Sequence, residues 1–325
     1  MNATVERLLN ELRLGDAQTH DGLAVYPLLW GEPGPEYLTL SKALQQNLLT
    51  VTEVSEGGSV PELAVINTGE LPVLLLDGEE LAGAKQNRVL NTTVLISAAS
   101  KTVINVSCTE QGRWSYASPE FADSGVIMAR NIRAKKTRAV SKNLMRFQKA
   151  RSDQGEIWQD IEDLSAAEGV HSNTGAMREV FEHRRAEHEN ALDAFPRVDQ
   201  QCGLVFLVHG TVVGMDFVSR PEAYADLHGK LLRSYLIDAR PCTGKTAAPA
   251  TVETVHAFLD QARETTESSF PSVGLGTDCR YQRAELCGSA LVHEETCIHA
   301  AFFRTIAEED SGRMQGFRQR RRYRM

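Results

Sequence analysis

Two polar stretches carry the residue types that could do chemistry. The first is LLLDGEELAGAKQNRVLNTTVLI, residues 74–96, where Asp77, Glu79, Glu80, Lys85, Gln86, Asn87, Arg88 and Asn91 lie between two apolar runs. A plain turn there would be short and built from Gly, Pro, Asn or Asp, so this density of hydrogen-bonding groups needs another reason. The second is VSCTEQGRWSY, residues 106–116, with Cys108, Glu110, Gln111, Arg113 and Trp114. Arg88 and Arg113 could hold phosphates or carboxylates through their planar forks, and Trp114 could stack on a base. Gln86, Asn87 and Gln111 add amide donors and acceptors. Glu79, Glu80 and Glu110 could accept from sugar hydroxyls or act as a general base, with an arginine stabilising developing phosphate charge. A magnesium ion could bridge such carboxylates and a diphosphate, although nothing in the sequence requires one. The competing reading is a buried network of Glu–Arg pairs that pins a helical block onto a sheet, with Trp114 as an anchor.

Narrower candidates are weaker. Cys108 would serve as a nucleophile only with a base beside it, such as His171, His209 or His299. Cys279, Cys287, His293, Cys297 and His299 fall close together, and Cys297 and His299 are expected on one strand face, but their gaps do not match paired zinc-ligand spacing, so no metal site is assigned. CTGKTAAP has Ala239 where a phosphate loop needs its first glycine, and Gly244-Lys245 reads as a helix-ending turn. His188 reads as a hydrogen-bonded, partly buried residue. Gln154 and Trp158 share a helical face, which places Gln154 toward the polar blocks or in plain packing.

These groups need a scaffold, and composition bounds it. The chain has 325 residues, 42% of them hydrophobic, which suits one composite domain or two ordinary ones. No apolar run is long enough for a membrane span and no leader is evident, so a cytoplasmic location without membrane contact is expected. The six cysteines form no CxxC pair and read as reduced thiols. The net charge of −8 conceals an asymmetry. Nine basic residues and no acid lie between Ser124 and Ser152, and six arginines and no acid lie between Gly312 and Met325. The remaining 20 Lys and Arg face 43 acids, so these two segments either dock on an acidic body or receive an anion.

Periodicity predicts an α+β fold with a β-rich N-terminal sandwich or open barrel, a central helical block and a C-terminal α+β section. A first helix is expected over 4–14, then short strands ending near Trp114, with SKALQQN as a short helix among them. The sections divide at 1–118, 119–200 and 201–304, with a mobile basic tail over 305–325; the first three form one composite domain. GLVFLVHGTVVGMDFV reads as a hairpin, PEAYADLHGKLLRSYLIDA as a helix with Pro221 near its start, and RAELCGSALVHEETCIHAAFF as a closing strand pair. A meander would bring the two polar stretches together at one end of a sheet.

Five blocks, LDGEELAGAKQNRVLN, VSCTEQGRW, QGEIWQDI, SNTGAM and LLRSYLIDA, resemble the signature of the ARPP-1 family, named for association with ADP-ribosylglycohydrolases and the rhodanese-phosphatase superfamily. The resemblance spans residues 74–239 and implies a family domain reaching to about residue 304; it is weakest over 240–255. It implies an ADP-ribose- or NAD-like ligand and protein partners in ADP-ribose processing, and it brings no catalytic assignment, so whether the chain is an enzyme stays open. The alternative is a nucleic-acid- or protein-binding module using segments 130–151 and 313–324 with no small-molecule chemistry, or an assembly protein whose polar blocks are buried and paired.

Overall fold

The computed structural model describes residues 1–55, 61–239 and 249–305; the arginine-rich segment 313–324 and Gly244-Lys245 lie outside them. Helix α1 (Ala3–Glu11) starts at Asn2, whose side-chain oxygen accepts the Thr4 N–H at 2.9 Å, and buries Val5, Leu8 and Leu9 along one stripe. It ends three residues before the range read from periodicity, because Arg13–Leu14 pairs as strand β1. Strands β2 (Gln18–His20), β3 (Leu23–Leu29) and β4 (Leu38–Thr39) precede helix α2 (Leu40–Gln45), which Thr39 caps. Strands β5 (Leu49–Glu53), β6 (Glu62–Asn67), β7 (Val73–Leu75), β8 (Glu79–Gly83), β9 (Arg88–Leu90), β10 (Val94–Ile96), β11 (Ser100–Cys108) and β12 (Phe121–Ile127) follow.

The central block consists of α3 (Arg130–Phe147), α4 (Gln154–Ala167), α5 (Met177–His183) and α6 (Arg185–Ala194). Beyond it lie β13 (Gln201–Val208), β14 (Thr211–Val218), α7 (Pro221–Leu236), α8 (Val252–Arg263), β15 (Thr266–Pro271), β16 (Thr277–Arg283), β17 (Leu286–His293) and β18 (Thr296–Arg304). The expected hairpin is β13–β14, the closing pair is β17–β18, and Pro221 opens α7, where its missing N–H has no helical partner to lose.

The fold is α+β. A nine-stranded antiparallel sheet runs β1-β3-β13-β14-β18-β17-β16-β15, with β2 also on β3. Residues 13–29 therefore pair with the C-terminal strands, Val25 lying opposite Phe206. A six-stranded sheet, β12-β8-β9-β11-β6-β5, curls into a half-barrel, and β10-β7-β4 forms a small third sheet.

Each face of the large sheet is apolar and must be covered. Leu8, Leu9, Phe258 and Leu259 of α1 and α8 cover one face over Phe217 and Phe302. Leu227, Leu231 and Tyr235 of α7 cover the other over Phe206 and Phe303, and there Leu74 of the small sheet, Leu76, and Ile127 of the half-barrel join it. The helical block packs through Ile132, Ile157, Ile161, Met177 and Phe181 against Val89 and Met128.

Candidate functional site

The first polar stretch begins with a turn that only glycine fits. Gly78 has φ +87°, and a Cβ there would stand 2.8 Å from Nε of Arg133. Through that gap α3 reaches the sheets: Arg133 and Lys136, three residues apart on its buried face, are both fully enclosed. Lys136 pairs with Asp77 and donates to the carbonyls of Leu90 at 2.9 Å and Asn91 at 3.2 Å. Arg133 makes a two-pronged pair with Asp216 of β14, at 3.1 and 2.8 Å. The Tyr235 hydroxyl of α7 donates to the same carboxylate at 2.7 Å.

His299 completes this cluster. Thr93 Oγ1 accepts the Asp77 N–H at 3.0 Å and lies 2.9 Å from His299 Nδ1, so the hydroxyl is placed to donate to Nδ1. That leaves the ring proton on Nε2, 3.4 Å from Asp216. Burial pushes Asp216 up, but the Arg133 charge and the His299 and Arg133 hydrogen bonds outweigh it and hold the carboxyl at about 2.

The two glutamates after Gly78 diverge. Glu79 accepts the Leu76 N–H at 2.8 Å and Lys230 Nζ at 2.9 Å; Lys230 also reaches Asp123 at 2.6 Å and Ser41 at 2.9 Å. Burial lowers Lys230, yet Glu79 and Asp123 together raise it above the ordinary lysine value, so the ammonium persists. Glu80 points to the other side of β8 and accepts the Thr109 hydroxyl at 2.5 Å. Burial pushes its carboxyl up to about 7, against the pull of hydroxyls from Thr109 and Ser124.

The meander brings the second polar stretch onto the first, with Cys108 opposite Arg88 on neighbouring strands. Glu110 accepts the Asn87 N–H at 3.2 Å and Arg113 at 2.9 and 2.6 Å, while Arg113 also donates to the Ala84 carbonyl at 2.7 Å and to Asn87 Oδ1 at 3.1 Å. Burial pushes Glu110 up, but Arg113, Thr174 and the Asn87 amide hold it below the usual carboxylate range. Arg88 is fully buried beside Gln86 Oε1, at 2.8 Å, the Cys108 sulfur, and Glu53 at 3.7 Å. Gln86 Nε2 reaches the Gln111 carbonyl at 3.4 Å. The helical block docks on the same corner. Gln154 exchanges two hydrogen bonds with the Cys108 backbone, at 2.8 and 2.9 Å. The Gly112 N–H donates to the Thr174 carbonyl at 2.7 Å, an approach that a Cβ, 3.0 Å from the Thr174 Cα, would crowd.

Above this packed corner the loop after Arg113 turns outward. Trp114 and Tyr116 are 50% and 54% exposed. Lys85 Nζ stands 5.5 Å from the Trp114 ring centre and 5.2 Å from that of Tyr116, and the Arg88 guanidinium lies 5.7 Å from the Trp114 ring. Of the sequence candidates, Glu80, Gln86, Asn87, Arg88, Cys108, Glu110 and Arg113 are gathered below the surface, Glu79 lies apart with Lys230, and Gln111, Trp114 and Lys85 edge the rim, where Tyr116 joins them.

Other candidates fall elsewhere. Burial pushes the Cys108 thiol up to about 11 against the pull of Arg88, the opposite of an activated nucleophile. Cys297 and His299 do not share a face: the pairing of β17 and β18 shifts between Leu291 and Val292, and the bulge at Ile298 sends Cys297 to the α1/α8 core and His299 to Asp216. Among the described residues no three His, Cys, Asp or Glu side chains gather as metal ligands. His188 is buried with neither ring nitrogen hydrogen-bonded, contrary to the expected bonded histidine, and burial pushes it down to about 4.

Five bases of the 130–151 segment are tied into the body: Arg130 to the Arg304 carbonyl and Asp238, Arg133 to Asp216, Lys135 to Asp160, Lys136 to Asp77, and Arg138 to Thr305. Lys142, Arg146, Lys149 and Arg151 remain exposed. Asp216, Tyr235, Lys230 and His299 carried no sequence signal as partners, because each meets the first stretch only through tertiary packing.

Residues 11–303 match the ARPP-1 domain, described as "ARG and Rhodanese-Phosphatase-superfamily-associated Protein domain". The chain belongs to the ARPP-1 family. No curated protein matches it. Among solved structures, an inactive mutant of the CurK dehydratase aligns at 10% identity over 91% of this chain and 97% of that one, with a TM-score of 0.14, too low to carry an argument. No helix among the described residues is long and apolar enough to cross a membrane.

Proposed function

We propose that this ARPP-1 protein binds a small phosphorylated nucleoside of the ADP-ribose or NAD class at the Trp114 rim, as a binding component associated with ADP-ribose processing. The observation that carries the reading is the exposed pair Trp114 and Tyr116 with Lys85 between them and Arg88 beneath. Aromatic faces stack on a base, Lys85 attracts a diphosphate, and the network below ties down Glu110, Gly112 and Arg113 of the loop, which reduces the ordering cost of binding. The family description, which names an association with the ARG group, supports this ligand class. The glutamates below are engaged by Lys230, Thr109 and Arg113, which suits support of the loop better than proton transfer to a ligand.

The test is thermal shift and calorimetric titration with ADP-ribose, NAD, adenosine and inorganic phosphate at constant ionic strength, with and without magnesium. A ligand at a hundred times its Kd stabilises the folded chain by about 2.7 kcal/mol. Trp114→Ala is expected to abolish that shift while the unliganded melting point stays in place, since the side chain is half exposed. No response to any nucleotide, or a response that survives Trp114→Ala, refutes the reading.

A second reading rests on the end of α3, where Met145 and Phe147 are 47% and 63% exposed among Lys142, Arg146, Lys149 and Arg151. An amphipathic basic patch of this kind suits an acidic partner, and binding of nucleic acid to it would weaken steeply with salt.

A further inference from the structure

A separate cleft lies where α3 crosses the edge of the large sheet. In the β15–β16 pair Ser268 stands opposite Arg280 and Thr266 opposite Gln282, so these four side chains share one face. That face is turned to α3: Phe270 of β15 packs with Val140 and Leu144 of the helix. Between them is a cavity of about 280 Å³, lined by Ser141, Met145, Thr266, Ser268, Arg280, Gln282 and Arg283.

Arg280 is 1% exposed and forms its wall. Its Nη2 donates to Asp278 at 2.6 Å, while Nε and Nη1 have no hydrogen-bond acceptor, and neither has Gln282 Nε2. Buried donors are ordinarily satisfied, and a guanidinium with two unengaged N–H groups beside a cavity is the unusual feature of this face. The remaining polar lining is hydroxyl groups and Arg283, which pairs with Glu264 at the mouth. The Asp278 carboxylate is already engaged by Nη2 and that of Glu264 by Arg283. The polar part of this lining carries positive charge and no carboxylate of its own, which favours an oxyanion over a cation.

We infer that this cleft binds a phosphate monoester, its phosphate oxygens held by Arg280 and Gln282 with the Ser268 and Thr266 hydroxyls at the side and its polar body at the mouth near Arg283. The site is built from other strands than the Trp114 rim and does not depend on the nucleoside reading.

The test is isothermal titration of the full chain with inorganic phosphate, a hexose phosphate and the unphosphorylated hexose, at constant ionic strength. Phosphate and the hexose phosphate are expected to bind and the free hexose to give no heat. Gln282→Glu and Thr266→Glu each place a carboxylate against the anion and are expected to weaken binding by roughly tenfold or more. Thr266 is exposed, so its variant decides the matter if Gln282→Glu fails to fold. Trp114→Ala is expected to leave phosphate binding unchanged, which separates failure here from failure at the rim. Absence of binding by both phosphates, full binding retained in the Thr266→Glu protein, or equal binding of the free hexose overturns the inference.

Discussion

Replacing Asp216 with Asn removes the charge and one of the two acceptor oxygens on which α3, α7 and β18 converge. The carboxylate takes two hydrogen bonds from Arg133 and one from Tyr235, with His299 beside it, and none of these groups reaches solvent. Its displacement from 3.8 to about 2 is worth on the order of 2 kcal/mol, at about 1.4 kcal/mol per unit. The sign follows from linkage. A carboxyl whose folded pKa is depressed contributes stability that is complete above its unfolded value and lost as pH falls toward the folded one, here between about 4 and about 2.

The substitution costs more than this proton linkage, because Arg133 stays buried and charged without the Asp216 charge and with an amide NH2 facing one of its N–H groups; loss of one partner of a buried pair typically costs about 3–5 kcal/mol. Urea unfolding at neutral pH is therefore expected to show Asp216→Asn destabilised by about 3–5 kcal/mol, with the gap to the parent narrowing as pH drops below about 4. Replacing both partners, Arg133→Met with Asp216→Leu, should cost less than Asp216→Asn alone. A variant within about 1 kcal/mol of the parent, or a gap that stays constant with acidification, would refute the role assigned to this pair.

Glu80 titrates in the opposite sense. Burial raises its folded pKa from 4.5 to about 7, so its contribution is intact below about 4.5 and becomes a penalty as pH rises through about 7. Glu80→Gln should be nearly neutral near pH 5 and gain on the order of 3 kcal/mol over the parent near pH 8; equal gaps at the two pH values in paired denaturation curves would contradict this. Gly78→Ala combines a left-handed backbone with a Cβ against Arg133 and should cost more than about 1 kcal/mol, measured as a drop in urea midpoint; a neutral result would show that Arg133 can shift aside.

The local features were legible in the residues. Alternation in GLVFLVHGTVVGMDFV and RAELCGSALVHEETCIHAAFF identified both hairpins, Pro221 marked the start of α7, and the meander brought Arg88 against Cys108. The polar stretches were also visible as a unit; Arg88, Glu110 and Arg113 form the buried network expected of one reading, while Trp114, expected there as its anchor, is half exposed. His188, expected to be bonded, shows the limit, since helical spacing predicts which face is buried and not what the neighbouring element offers there.

Sequence alone therefore determined many of the element types, with β12 falling inside the expected helical block, and the positions of unusual polar density, because side-chain periodicity records burial locally. Tertiary structure decided the partners. Lys136 finds Asp77 across 59 residues, Arg133 finds Asp216 across 83 and Lys230 finds Glu79 across 151. Residues 13–29 join a sheet made by the far end of the chain. A single bulge at Ile298 turns Cys297 and His299 to opposite faces. Many pairings of acids and bases satisfy the same local pattern, and only the packed arrangement places one carboxylate and one base at hydrogen-bond distance where water is excluded and an unpaired charge is costly.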